Sequence, residues 1–409
     1  MSQNLSIAYL NQHLLEHPSL LPALMDIDPR LPELIYGRND FVGGHISSWY
    51  NRIGQDTMFC RNPNQIEQNK LVTNYSVPTT ETFEQVTDQR CIDLHRTHWH
   101  KPWVVMWSGG IDSTLMLTSI LRNIPPGDFK NIQVWCNSAS VYENPKFFMD
   151  HIQPNFEVVS DMETMSMARD VFMIAGESGY ILNIEKHKNF AYKTGFDDQG
   201  RDLMWANNRD KLVAFCDTIH WPSPSKTNFS NWLYNSLEQN IRSTGLPIHT
   251  VSEWWYWFLF NYHCASNIMQ HLDHQCVQAT HSAFLENFVA WFNNDLYQRW
   301  GLHNLNEIVR MKNKNIAKKY IHSVFKDEIH LNFKTKVASS GRPHSRVWFT
   351  TDNLEHIRNR PRNWKNDFVY DDRVFCVLNN KDCLYLDRDL DQIIKLLPEH
   401  INLDSLNYL

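Results

Sequence analysis

The chain has 409 residues, a formal net charge of -6, 42% hydrophobic residues and 13% aromatics. That length suits two or three domains with a sizeable core, and the mild acidity argues against binding nucleic acid through overall charge. The eight cysteines include no Cys-x-x-Cys pair, Met1 to Leu10 lacks a basic, apolar, cleavable pattern, and every apolar segment is interrupted short of a membrane span; a cytosolic (cytoplasmic) chain with reduced thiols and no membrane partner is expected.

Residues 1–97 form an opening region with no assignable role. Leu5 to Leu24 is leucine-rich but broken by Pro18 and Pro22, Phe41 to His45 reads as a turn, and Gln65 to Thr80 reads as a polar loop. His95, His98 and His100 are close enough to consider a metal, against surface or capping roles. Residues 98–200 alternate strand and helix. Trp103 to Trp107 is an apolar strand, Ser108 to Gly110 a turn of small residues, and the chain from Asp112 to Asn123 a helix. After the Pro125 to Asp128 breaker come a strand at Ile132 to Cys136, a helix from Asn144-Pro145 to Ile152, and a strand at Phe156 to Val159. A short helix at Met162 to Asp170 and a strand at Val171 to Ala175 follow, ending in Gly176-Glu177-Ser178-Gly179. This alternation implies an α/β fold with a parallel sheet flanked by helices, whose ligands lie beyond the carboxyl ends of the strands.

Residues 201–326 read as helical, through Leu203 to Ile219, Asn228 to Arg242, Glu253 to Leu272 with Ser252 as N-cap, Ala283 to Trp300, and Leu305 to Phe325. The middle of the last is basic, with Lys312, Lys314, Lys318 and Lys319. His263, Cys264, His271, His274, Cys276 and His281 fall in this region; core packing of the cysteines is weighed there against a metal. Residues 327–409 form a small β-containing appendage, with strands at Val347 to Thr350, Val374 to Leu378 and Cys383 to Leu386, a hairpin loop at Asn379 to Asp382, and a helix at Leu390 to Leu397.

The stretch from Trp103 to Asn123 carries the chemistry. Strand, glycine turn and helix bring backbone N–H groups and a positive helix end to one place, which suits an anion, most obviously a phosphate. The hydroxyls of Ser108, Ser113 and Thr114 add donors. A Walker-type loop has a lysine before its Ser/Thr; here Asp112 stands there. A carboxylate beside a phosphate calls for a cation between them, so Asp112 implies Mg²⁺.

The motif Ser108-Gly109-Gly110-x-Asp112-Ser113-Thr114 resembles the PP-loop of the N-type ATP pyrophosphatases. The resemblance implies a Rossmann-like, adenine nucleotide alpha hydrolase-like domain in which the loop holds the β- and γ-phosphates of ATP while a substrate oxygen attacks the α-phosphate. Glu177, after the fourth strand, is similar in position to a glutamate of the asparagine synthetase-type enzymes that serves as base or anchor. Those enzymes carry an Asp-Glu pair next; here Tyr180 and Ile181 follow. A lysine in their late basic stretch reaches the pyrophosphate, and Lys318 or Lys319 is its counterpart, without the arginine of that stretch. The end of the second strand, at Ser138 and Glu143, corresponds to the neighbourhood of the adenosine. Their glutaminase half needs an N-terminal cysteine nucleophile; Ser2 follows Met1, so the expected nitrogen source is free ammonia, an amine, or ammonia from a separate protein. The resemblance covers Pro102 to Asp327. Its main implication is an amidoligase-like enzyme that adenylates a small-molecule carboxylate or amide oxygen. A nucleobase- or tRNA-modifying enzyme and a non-catalytic nucleotide-binding module are the alternatives.

Overall fold

The computed structural model describes residues 20–31, 78–136, 138–159, 172–176, 204–210, 212, 231, 234, 235, 237–239, 241, 242, 248–258, 288–305, 314–333, 374–377 and 383–386. The chain divides into two compact units, one of Val72–Asn189 with Gln278–His344, the other of Met1–Leu71, Phe190–Val277 and Ser345–Leu409. The expectations at Phe41 to His45, Met162 to Asp170, Val347 to Thr350 and Leu390 to Leu397, and the set from His263 to His281, lie outside the described residues. Among the described residues no helix is long and apolar enough to cross a membrane.

Helix α1 (Leu20–Ile27) belongs to the unit of Met1–Leu71, Phe190–Val277 and Ser345–Leu409. The Val72–Asn189 unit has α2 (Phe83–His98) as its first described helix, begun by a capping box. Gln85 N–H donates to Thr82 Oγ1 (3.2 Å), and Thr82 N–H donates to Gln85 Oε1 (2.8 Å), so two orphan donors are satisfied reciprocally. Strand β1 (Trp103–Met106) is buried at all four positions, as a central strand covered on both faces must be. Helix α3 (Ile111–Asn123) follows, buried continuously from Ser113 to Ile120. Its buried hydroxyls are satisfied by backbone carbonyls: Thr118 Oγ1 donates to Thr114 O (2.7 Å) and Ser119 Oγ to Thr87 O (3.1 Å).

Strand β2 (Ile132–Trp135), helix α4 (Ser138–Glu143) and helix α5 (Pro145–Phe147) come next. Asn144 caps α5, and a π-turn at Phe148–Ile152 extends it. Strand β3 (Glu157–Val159) is an edge, exposed at Glu157 and Val158; β4 (Phe172–Ala175) lies on the other side of β1. These four strands stand where the alternating pattern places them, and they pair in parallel, with Val105 opposite both Val134 and Ile174.

In the unit that contains Phe190–Val277, α6 (Val251–Phe258) starts earlier than the expected Ser252 cap allows. Thr250 Oγ1 accepts from Glu253 N–H (3.3 Å), and Glu253 Oε2 accepts from Thr250 N–H (2.9 Å). Thr250 with Glu253 makes a complete capping box; Ser252 has Trp255 at the corresponding position and is buried inside the helix.

The expected helix from Ala283 to Trp300 is corrected. Among its described residues Phe288–Ala290 is strand β5, parallel to β4, and α7 (Asp295–His303) is helical, capped by Asn294. Five consecutive apolar residues, Phe288 to Phe292, followed by Asn293-Asn294, suit a buried strand and a stop. Arg90 of α2 fixes the end of β5: its Nε donates to Trp291 O (2.9 Å) and a terminal nitrogen to Ala290 O (3.4 Å). The Leu305 to Phe325 expectation resolves to α8 (Asn315–Phe325), with α9 (Glu328–Phe333) after it. Strands β6 (Val374–Val377) and β7 (Cys383–Leu386) pair antiparallel as the expected hairpin. The core is therefore a five-stranded, all-parallel sheet of order β3-β2-β1-β4-β5 with flanking helices, an α/β fold.

Of the clustered histidines, His95 pairs with Asp128 (3.1 Å) and His98 stacks on Phe172 with ring centroids 3.9 Å apart. Burial, aided by the charge of Lys101, lowers the His98 pKa to about 4. Its native pKa thus lies below the ordinary value of 6.5, so the neutral ring favours the fold. That contribution is complete above about pH 6.5 and is lost as pH falls toward about 4. Urea midpoints measured from pH 7 to 4.5 should fall less steeply for His98→Phe than for the parent chain; parallel curves would refute the assignment.

Candidate functional site

The sheet reverses its winding at β1: β2 and β3 lie on one side of it, β4 and β5 on the other. The crevice at the carboxyl ends of β1 and β4 is the topological switch point, where open parallel sheets bind their ligands. The segment from Ser108 to Ser113 leaves β1 there, and Gly176 leaves β4 there. The two touch. A Cβ on Gly176 would stand 2.8 Å from the Ser113 nitrogen and 2.9 Å from its Cα, so a side chain here would collide with the first turn of α3.

The loop is closed by its own hydroxyls. Ser113 Oγ accepts from the Ser108 N–H (3.1 Å), lies 3.1 Å from Ser108 Oγ, and donates to Gly110 O (3.2 Å). Gly110 N–H donates to Ser108 Oγ (3.4 Å). Ser113 thus works as the clasp of the turn. Thr114 lies beneath it, fully buried, its hydroxyl accepting from Trp107 Nε1 (3.1 Å). The backbone N–H of Trp107 donates to Trp135 O (2.9 Å), and its ring stacks near Phe147 and Phe148. Gly110 is the N-cap and has no side chain to serve the first turn, and the first intrahelical bond runs from Thr114 N–H to Gly110 O (2.9 Å). The N–H groups of Ile111, Asp112 and Ser113 precede that bond, at the positive end of a 13-residue helix.

Gly109 has φ +73°, and a Cβ there would fall 2.3 Å from Ser140 O and 2.6 Å from Glu143 Cβ. Helix α4 therefore presses directly on the loop, bringing the buried Ser140 and Glu143 to it. Ser138 is the first residue of that helix. Glu177 lies outside the described residues, one position beyond Gly176.

Two charged side chains meet over the loop. Lys314 Nζ donates to Asp112 Oδ2, the two side chains being 18% and 25% exposed. Lys314 is the N-cap of α8 and has a left-handed backbone, φ 52°; among the described residues the other non-glycine with positive φ is Lys326, at the opposite end of the same helix. Helix α8 lies along α3, with the Arg122 guanidinium of α3 5.7 Å from the Tyr320 ring centroid, and Tyr320 OH donates to Asp88 Oδ1 of α2. Lys318 sits one turn beyond Lys314 and is buried, and Lys319 is exposed. Sequence reasoning singled out Lys318 and Lys319 and passed over Lys314. The run of lysines was visible, but which of them meets Asp112 depends on how α8 packs on α3.

The site thus joins a helix start rich in N–H groups, a carboxylate of the hard-oxygen type that Mg²⁺ prefers, and an ammonium group. That set fits a magnesium-bound polyphosphate. Comparison with protein-family models, with curated proteins and with solved structures returned no match.

Proposed function

We propose that this chain is an ATP-dependent, asparagine synthetase-like ligase built on an adenine nucleotide alpha hydrolase-like domain. It adenylates a carboxylate or amide oxygen, releases pyrophosphate, and transfers the activated group to an amine or ammonia. The observation that carries the reading is the Ser108–Ser113 turn at the switch point of an all-parallel sheet, with Asp112 in place of a Walker lysine. ATP and Mg²⁺ are the implied ligands. Ile111, Asp112 and Ser113 N–H groups would donate to the outer phosphates, with Gly109 and Gly110 letting the backbone come close. Asp112 would hold Mg²⁺, which supplies charge neutralisation at the phosphates.

The substrate oxygen attacks the α-phosphorus, and the bond from that phosphorus to the oxygen bridging to the β-phosphate breaks. Pyrophosphate leaves with the bonding electron pair; the amine nitrogen then attacks the activated carbon and AMP departs. Charge accumulates on pyrophosphate in the first step, so preorganised positive groups there lower the barrier. Lys314, Lys318 and Lys319 are the cationic candidates, and Glu177 the candidate base or anchor. The small-molecule substrates, a separate ammonia-supplying protein and a cytosolic setting belong to the same proposal.

The test is product analysis. Incubation with Mg·ATP, ammonia and a panel of carboxylates should yield AMP and pyrophosphate in equal amounts. Release of ADP alone would remove the pyrophosphatase assignment.

A further inference from the structure

The contact between Lys314 and Asp112 raises a conflict within the proposed site. If Asp112 bears the divalent cation, the cation and the Lys314 ammonium seek the same carboxylate. Both side chains are partly withdrawn from water, where two adjacent positive charges repel more than they would in bulk solvent. The lysine is not a loose surface group. It stands at the cap of a helix packed against α3, in a backbone conformation that lysine seldom adopts.

The geometry points to Lys314 as an internal stand-in for the metal: it satisfies Asp112 in the nucleotide-free protein and gives way when metal and phosphate arrive together. Phosphate oxygens offer the ammonium a replacement acceptor at the moment the metal takes the carboxylate. Magnesium held by one carboxylate plus phosphate oxygens is a common arrangement, whereas one carboxylate alone is a weak metal site. Lys314 therefore suppresses metal uptake in the absence of phosphate and makes metal and phosphate binding positively coupled. This inference rests on the proposed role of Asp112. Lys314 acts on the metal through Asp112 and on the phosphate directly.

Mn²⁺ binding, followed by the electron paramagnetic resonance of the free ion, separates the possibilities without turnover. The full chain is titrated with and without pyrophosphate as wild type, Lys314→Met, Lys314→Gly, Lys314→Arg and Asp112→Asn. Lys314→Gly removes the ammonium and suits the left-handed backbone, so it guards against misfolding of Lys314→Met. Without pyrophosphate, Lys314→Met and Lys314→Gly should bind Mn²⁺ about tenfold more tightly than wild type, and Lys314→Arg like wild type. With pyrophosphate the advantage should vanish or reverse, because the phosphate has lost its cationic partner. Equal Mn²⁺ affinity of wild type and both neutral variants without pyrophosphate, with binding lost in Asp112→Asn, would overturn the competition and leave the metal at Asp112. Mn²⁺ binding with pyrophosphate that ignores Asp112→Asn would overturn the role of Asp112 and this inference together.

Discussion

Asp112→Ala is expected to lower pyrophosphate-forming turnover by roughly three orders of magnitude while leaving the fold in place. The loss is large because the proposed site has one role for Asp112 that no hydroxyl can replace. Ser113 is spent closing the turn, and Thr114 is buried under Trp107. The cost to stability is small by comparison. Asp112 lies in the first turn of α3, where a carboxylate favours the helix dipole by about 0.3–1 kcal/mol. Its ion pair with Lys314 is partly exposed, so screening keeps its contribution to about 1 kcal/mol. Activity and stability therefore separate: thermal melting should fall by only a few degrees. A further signature distinguishes metal binding from simple disruption. Without its carboxylate the loop should bind free pyrophosphate at least as well as wild type, yet lose the enhancement that Mg²⁺ confers. Turnover within tenfold of wild type would remove Asp112 from the reaction.

The four strands from Trp103 to Ala175 were legible because each is a short apolar run ended by a local breaker, and parallel pairing follows from the connections between them. The phosphate-type loop was legible for the same reason, since its geometry is written in consecutive small residues. Strand β5 was not. Its apolar residues sit in an aromatic-rich stretch where strand and helix give the same local signal, and its partner, β4, lies more than a hundred residues earlier. The start of α6 could have been read correctly: Thr250 has a glutamate three residues on and Ser252 does not.

Residues that act through tertiary approach were the hardest to see. Lys314 stands at the cap of α8, ahead of its regular turns, and the family resemblance directs attention to Lys318 and Lys319 instead. Its meeting with Asp112 joins positions separated by 202 residues. The same holds for Gly176. In the sequence it only ends the fourth strand, and the structure gives a steric reason for a glycine there: the backbone of α3 occupies the space a Cβ would need. A glycine whose demand is set by a distant element carries no local mark of it.

Gly109 and Gly110 make that distinction measurable. Gly109→Ala is expected to destabilise the Val72–Asn189 unit by about 3 kcal/mol or more, from two causes that add. The left-handed backbone at φ +73° costs an alanine about 1–2 kcal/mol. The new Cβ must also displace Ser140 O and the Glu143 stem, both of buried residues, and such overpacking costs about 1–3 kcal/mol. Gly110 differs in both respects. Its φ is −72°, ordinary for any residue, and its Cβ would meet Ser108 Oγ alone at 3.3 Å. Gly110→Ala should therefore cost no more than about 1 kcal/mol, the scale of a changed N-cap. In thermal melts the first variant should fall by roughly 10 °C and the second by less than about 4 °C. Similar melting temperatures for the two would mean that α4 yields freely and does not brace the loop. A large gap, with Gly110→Ala still folded, would instead show that the turn owes its shape to the helix pressed behind it, so that the backbone donors are in place before any anion arrives.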